Sequence, residues 1–204
     1  SKDHTVAFID HSEQPIALQV DPDQQLYLTH EQKKLNIDLE EPWPEKGHAV
    51  HLTHQKHPDL VLQIPYQGLK IMTWDSEKSL YVDLLPSLPF LDEETLQDLD
   101  LRALQFIPGQ GTQMDMTLSQ GRMLRRYRFF PEPTIVSQIN LPKVGSISSS
   151  HLFCHLFSET KLTLVSLDRD RNELDFFTQK DDSFIWDRRF RCHIKQIDEL
   201  FELK

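Results

Sequence analysis

Short segments that alternate apolar and polar residues dominate this chain. A two-residue period is typical of a strand with one buried face, because successive strand side chains point to opposite sides of a sheet. Asp, Pro and Gly residues separate the segments and favour turns. The segments that predict strands are 5–10, 16–20, 26–29, 60–64, 69–74, 79–84, 114–118, 122–130, 134–139, 152–157, 162–167, 174–178 and 184–186.

Two segments have helical spacing instead. Asp92 stands where a helix N-cap accepts hydrogen bonds from free amides, and apolar residues then recur every three or four positions as far as Phe106. A Pro-Gly pair ends that pattern. We therefore predict an α+β fold that is strand-rich, with mostly antiparallel sheets, one central helix at about 92–106 and a short C-terminal helix at about 195–203.

The length of 204 residues is sufficient for one sizeable hydrophobic core. We predict a single globular domain over residues 1–204. The central helix would join two sheet-bearing halves, at about 1–90 and 110–204.

One short pattern occurs three times: an apolar residue, an Asp, a polar turn and a new strand, beginning at Val20, Trp74 and Leu167. The Asp is expected to accept hydrogen bonds from the amides of the turn. The intervals between the three copies are unequal, whereas a β-propeller needs a regular repeat. The pattern therefore indicates independent hairpins and argues against a propeller.

The net charge of −10 limits the choice of partners. A negative field repels nucleic-acid phosphates and anionic lipid headgroups, so we expect no general nucleic-acid binding. No run of about 20 apolar residues is present, and we expect no membrane insertion. Two Cys residues are too few for a disulfide framework, which favours a cytoplasmic location.

One basic cluster departs from the acidic average. It contains Arg122, Arg125, Arg126 and Arg128, with Tyr127 among them. Guanidinium groups beside an aromatic ring suit phosphate or carboxylate recognition. These five residues are the predicted ligand-binding site of one alternative function, a sensor domain for a small anionic or nucleotide ligand.

A second alternative is a metal-dependent protein. His151, Cys154 and His155 are ligand types that zinc accepts, but they lack the paired short spacings of structural zinc sites. The sequence therefore predicts no cofactor and no metal site, and these three residues are the ones that a metal-dependent role would use.

Four histidines follow one another at three-residue steps: His48, His51, His54 and His57. On a strand they would alternate between faces, and on a helix they would drift around the axis, so they could not converge on one ion. We expect side chains that are exposed or partly buried.

No nucleophile, phosphate-loop or metalloprotease motif is present, which favours a protein without catalytic activity. Apolar residues beside prolines present a surface at low entropic cost. Trp43, Leu88 and Phe90 are the predicted partner-binding residues. The predicted function is a non-catalytic protein-interaction or accessory protein, such as an adaptor, an inhibitor or an assembly subunit, whose partner is another protein.

Overall fold

The computed structural model describes most of the chain as strands. The described residues are 5–9, 15–109, 111–120, 123–140, 151–158, 161–168, 172–180 and 183–191. The chain divides into two compact units, of which unit 1 comprises Ser1–Leu101, Pro108–Asp115 and Arg128–Thr134. Unit 2 comprises Arg102–Ile107, Met116–Tyr127 and Ile135–Lys204.

The strands of the described residues are numbered here in chain order. They are β1 (Thr5–Ile9), β2 (Pro15–Val20), β3 (Leu26–His30), β4 (Lys33–Asn36), β5 (Lys46–Val50), β6 (Asp59–Ile64), β7 (Gly68–Asp75) and β8 (Leu80–Asp83), followed by β9 (Leu104–Pro108), β10 (Met114–Gln120), β11 (Met123–Arg128), β12 (Thr134–Asn140), β13 (His151–Ser158), β14 (Lys161–Asp168), β15 (Glu173–Lys180) and β16 (Ser183–Arg191). The prediction of mostly antiparallel sheets is confirmed.

Unit 1 contains two four-stranded sheets, β1–β4 and β5–β8, in which each strand pairs antiparallel with the next one in the chain. Strand β1 lies beside β5, and β4 lies beside β8. A parallel bridge between Ile37 and Tyr81 joins the two sheets at their last strands. The amide of Asp38 also donates to the carbonyl of Tyr81.

The inward-facing residues of both sheets form one core. Their alternation follows the predicted pattern: in β2, Ile16 and Leu18 are buried, whereas Ala17 between them is half-buried and Gln19 is exposed. Full burial of such a side chain contributes about 1.5–3 kcal/mol. The members are Ile16, Leu18, Leu26, Leu28, Leu35, Ile37, Ala49, Leu60, Leu62, Met72 and Tyr81.

The aspartates of the recurring pattern act as predicted where the structure describes them. Asp21 Oδ1 accepts from the amides of Asp23 and Gln25, at 2.9 and 3.0 Å. Asp75 Oδ1 accepts from the amides of Glu77 and Lys78, at 3.0 and 3.1 Å. These turns join β2 to β3 and β7 to β8, so the copies occupy different places in their sheets.

The strands do form a repeat, which consists of runs of four consecutive strands. An eight-stranded sheet has the order β13-β14-β15-β16-β12-β11-β10-β9, so β9–β12 and β13–β16 are also runs of four consecutive strands. Consecutive four-stranded meanders are the blades from which β-propellers are built. The unequal intervals between the hairpin turns therefore do not exclude a repeat, because those turns are not equivalent and the repeated element is the four-stranded meander.

The predicted central helix is also wrong. A helix, α1, covers only Glu93–Gln97, and β9 follows from Leu104 after a 3-10 turn at Leu101–Ala103. Asp92 caps α1 as expected, since its side chain accepts from the amide of Thr95 at 2.7 Å.

The remainder of the predicted helix becomes a strand because it pairs with a sheet. Strand β9 lies at the edge beside β10, and its buried residues are Leu104 and Ile107, which do not belong to the helical stripe. Hydrogen bonding to a neighbouring strand outweighs helix propensity of a few tenths of a kcal/mol per residue. The fold is thus not α+β with a central helix. The predicted C-terminal helix at 195–203 lies outside the described residues.

Helix α1 packs tightly on the β6–β7 hairpin. A Cβ added to Gly68 would lie 2.2 Å from the carbonyl oxygen of Gln97 and 2.3 Å from that of Leu96. Gly68 also has φ of +76°, which favours glycine.

No helix in the described part of the chain is long and apolar enough to cross a membrane.

Candidate functional site

The described arginines of the predicted cluster do not all lie on one face of the sheet. Arg122 lies outside the described residues. In β11, Arg125 pairs with Leu118 of β10 and Arg126 pairs with Thr117, so the two arginines lie on opposite faces of the sheet. Arg125 Nε donates to Gln138 Oε1 at 3.0 Å.

Arg128 forms an ion pair within unit 1. Its Nε and Nη2 donate to the two carboxylate oxygens of Asp115, at 3.1 and 3.0 Å. This hydrogen-bonded carboxylate raises the pKa of Arg128 above its ordinary value. Asp115 is 1% exposed, so the guanidinium neutralises a buried charge. The arrangement gives Arg128 a structural role, and anion binding by the cluster stays a prediction.

Tyr127 contributes to packing. Its ring is fully buried opposite Met116, which is itself buried. An aromatic ring in this position cannot offer its face to a ligand. The predicted partner of the arginines in ligand stacking is therefore a core residue of unit 2.

The predicted partner-binding residues also contribute to packing in unit 1. Trp43 packs against the core, and Leu88 is only 5% exposed. Phe90 is half-buried. Partner binding through these three side chains stays a prediction, and little of Leu88 is accessible to a partner.

The three candidate metal ligands, His151, Cys154 and His155, belong to β13. Their side chains lie outside the described part of the chain, and the metal prediction remains untested. Among the residues that the structure does describe, no group of three or more His, Cys, Asp or Glu side chains could hold a metal ion.

The most exposed apolar residues of the described chain point to a different site. Apart from Tyr66 in unit 1, the exposed large apolar side chains of the described residues all lie on β12 and β16 of unit 2. They are Ile135, Val136, Ile185, Trp186 and Phe190. We use the name β16 surface for Trp186, Arg188, Arg189, Phe190 and Arg191 together with the β15 side chains beneath them.

A β-bulge determines the layout of the β16 surface. Trp186 pairs with Phe177 and Arg188 pairs with Phe176, which leaves Asp187 as the extra residue. Because of this insertion, Trp186 and Arg189 lie on the same face although they are three positions apart. Regular alternation would have placed them on opposite faces.

The polar face of the β16 surface is organised by Asp175. Arg189 donates to both of its carboxylate oxygens, at 2.8 and 3.2 Å, and the indole Nε1 of Trp186 donates to Oδ1 at 2.9 Å. Glu173 lies next to Asp175, with its carboxylate 3.4 Å from Arg189 Nε and 3.6 Å from Arg191 Nε. Both carboxylates are buried, at 4% and 6% exposure.

The burial of the carboxylates does not extend to their donors. The ring of Trp186 is 51% exposed, and the side chain of Arg189 is 38% exposed. A buried acceptor thus fixes two planar donors that face solvent. Such side chains have lost rotamer freedom before any partner arrives, which lowers the entropic cost of binding.

The opposite face is aromatic and cationic. Phe176 and Phe190 meet edge to face with ring centroids 5.4 Å apart. The guanidinium carbon of Arg188 lies 5.2 Å and 5.5 Å from these two centroids. Such stacking is a cation–π arrangement and leaves the arginine 61% exposed.

Sequence reasoning missed Trp186 and Phe190. Three consecutive apolar residues, 184–186, followed by alternating basic residues and Phe190 would have been the signal. A strand with apolar residues on both faces is either buried or an exposed binding strand, and the surrounding arginines favour the second.

Comparison with known proteins gives little. No protein-family model matches the chain, and no curated protein matches it. Several solved structures match the chain, among them the Aleuria aurantia lectin AAL, an N224Q mutant in complex with Fucalpha1-6GlcNAc. The match covers 94% of this chain and 65% of the lectin chain, with 9% sequence identity and a TM-score of 0.46.

Proposed function

We propose that this chain is a non-catalytic binding protein that docks another protein on the β16 surface. The observation that carries the proposal is that three exposed large apolar residues, Ile185, Trp186 and Phe190, lie within six positions of one strand, β16. Monomeric proteins rarely expose such residues in a group, and groups of this kind mark interaction sites.

The composition of the surface favours a protein partner. Tryptophan and arginine are the residue types most enriched at the energetic centres of protein interfaces. Trp186 and Arg189 stand on one face of the strand, while Arg188 and Phe190 stand on the other. A small ligand would cover one face, whereas a protein can cover both.

The local charge supports the same choice. Arg189 and Arg191 are offset by Asp175 and Glu173, so the polar face has no net charge to attract a phosphate. A neutral surface with fixed donors and aromatic rings fits the mixed core of a protein interface.

The experiment is affinity capture from an extract of the source organism with the purified chain as bait. Wild type is compared with a Trp186→Ala, Phe190→Ala double variant and with Tyr66→Ala. Tyr66 is fully exposed but belongs to unit 1, so its variant is a matched control for losing an exposed aromatic ring.

We expect one protein to be retained by wild type and Tyr66→Ala and lost with the double variant. The captured protein, expressed alone, should bind wild type with at least tenfold higher affinity than the double variant. Equal binding to all three baits would contradict the proposal. Thermal melting of the variants checks that they fold.

Carbohydrate binding is a second candidate, favoured by one observation. The indole of Trp186 is half exposed and held by Asp175, with the guanidinium of Arg189 on the same carboxylate. An aromatic plane can cover the apolar face of a sugar, while planar polar groups hydrogen-bond its hydroxyls. A glycan array probed with wild type and Trp186→Ala tests this. Glycan binding that Trp186→Ala abolishes, without a captured protein, would favour this candidate over the first.

A further inference from the structure

The loop between β5 and β6 is held to β3 by a pair of histidines. Nδ1 of His30, the last residue of β3, lies 2.8 Å from Nδ1 of His57, and the two rings meet edge to face. His57 is 5% exposed. Its ring also contacts Trp74 of β7, with centroids 5.3 Å apart.

This contact depends on protonation. A hydrogen bond between two imidazole nitrogens needs one N–H donor and one lone pair, so at least one of the two rings must be neutral at Nδ1. When both rings are protonated, both nitrogens become donors, and two positive charges face each other across a buried contact. The second proton therefore breaks the hydrogen bond.

Most of the charges around the pair also disfavour protonation of His57. Burial, and then the neighbouring His30, lowers the pKa of His57 below 6.5; Lys56 and Lys33 add to this effect, while Glu31 opposes it. Lys56 also lies 3.8 Å from Glu31, in an exposed ion pair. In the unfolded chain His57 accepts a proton near its ordinary pKa, whereas in the native loop its pKa is lower. The stability that the pair contributes is thus complete above pH 6.5 and is lost as the pH falls through the native pKa.

We propose that the His30–His57 pair is a latch that holds loop 51–58 closed at neutral pH and opens it in acid. Asp59 anchors one end of the loop, because its carboxylate accepts from the amides of Leu52 and Thr53 at 2.9 and 2.7 Å. Because the hydroxyl of Tyr81 also donates to the carbonyl of Pro58 at 2.8 Å, opening is confined to residues 54–57.

The loop also contacts other segments of unit 1. The ring of His54 stacks on Phe130 with centroids 4.8 Å apart, and its Nδ1 lies 3.1 Å from Gln113 Nε2. Opening would detach these contacts and uncover the edge of Trp74. Acid would thus change the surface that unit 1 presents, without unfolding its two sheets.

The test is an NMR titration of the full chain, isotope-labelled at histidine and tryptophan, between about pH 5 and 8, with NOEs recorded at each step. We expect His57 to take its proton below pH 6.5, and the NOE between the rings of His57 and Trp74 to disappear as it does so. In His30→Gln the pKa of His57 should move up towards 6.5. His54→Gln, in the same loop, is the control and should leave the pKa of His57 where it is in wild type.

Protonation of wild-type His57 at or above pH 6.5 would overturn the proposal. So would an unchanged NOE between His57 and Trp74 after His57 has taken its proton, since protonation would then leave the loop closed. Both readouts use wild type, so the test does not depend on His30→Gln folding.

Discussion

Two buried aspartates, one in each unit, use the same chemistry for different ends. Asp59 in unit 1 is fully buried, and its donors are neutral: the amides of Leu52 and Thr53 and the hydroxyls of Thr53 and Thr73. Asp175 in unit 2 is almost as buried. Its donors, however, are a guanidinium and an indole that remain exposed.

The difference between these donors indicates what each carboxylate is for. Asp59 holds a loop to the sheets, and every group that it binds faces inward. Asp175 accepts hydrogen bonds from side chains that face solvent, and it therefore orients a surface. A buried acceptor with inward donors indicates structure, whereas one with outward donors indicates recognition.

The largest expected effect is that of Asp59→Ala. The substitution leaves two backbone amides and two hydroxyls without their acceptor, and we expect a loss on the order of 4 kcal/mol in the free energy of unfolding. Urea denaturation measures it. Asp23→Ala, which removes an exposed carboxylate, should change stability by less than about 0.5 kcal/mol. Similar losses in both variants would show that Asp59 is not a structural anchor.

Arg128→Ala is expected to lower the free energy of unfolding by about 3 kcal/mol, because it removes the guanidinium that neutralises the buried charge of Asp115. Arg128→Lys should recover part of the loss, since an ammonium restores the charge without the two parallel hydrogen bonds. The opposite result would be an Arg128→Ala protein that is as stable as wild type but no longer binds an anionic ligand in a thermal-shift screen. That result would show that Arg128 serves recognition and not structure.

Asp175→Ala should cost less, about 1–2 kcal/mol, because its partners are solvent-accessible and keep their hydration when released. Its effect on binding should be larger than its effect on folding. We expect the captured partner to be lost as completely as with the Trp186 and Phe190 double variant. Retention of the partner by a folded Asp175→Ala protein would contradict an orienting role for this carboxylate.

The smallest effect concerns pH and distinguishes the two aspartates by their donors. Burial raises the pKa of Asp59 above 3.8, and its hydrogen bonds only partly oppose this. The native state then keeps a proton that the unfolded chain has released, so stability declines as the pH rises from 3.8 through the native pKa. Denaturation of wild type and Asp59→Asn across this range should show that decline in wild type alone. Parallel curves would mean that Asp59 titrates normally.

Much of the strand content was predictable from local pattern. The alternation at 16–20 predicted β2, and the segments at 114–118 and 122–130 predicted β10 and β11, in which Gln120 pairs with Met123. Asp92 and Asp21 bind the amides that their positions predict. These features depend on residues a few positions apart.

The errors arose where distant segments compete for the same residues. Residues 104–106 lie in the stretch with helical spacing, but pairing with β10 makes them part of a strand whose buried residues are Leu104 and Ile107. The meanders begin at Thr5, Lys46, Leu104 and His151, and connections of unequal length conceal their repetition from the sequence.

By itself, then, the sequence determined the strands, their turns and the separation of buried from exposed positions, because these follow from the period of two and from turn chemistry. Only the tertiary structure decided which side chains meet. The extra residue at Asp187 brings Trp186 and Arg189 onto one carboxylate, and the packing of loop 51–58 brings His57 to His30. Alternation predicts neither contact, since each depends on pairing between segments that are distant in the chain.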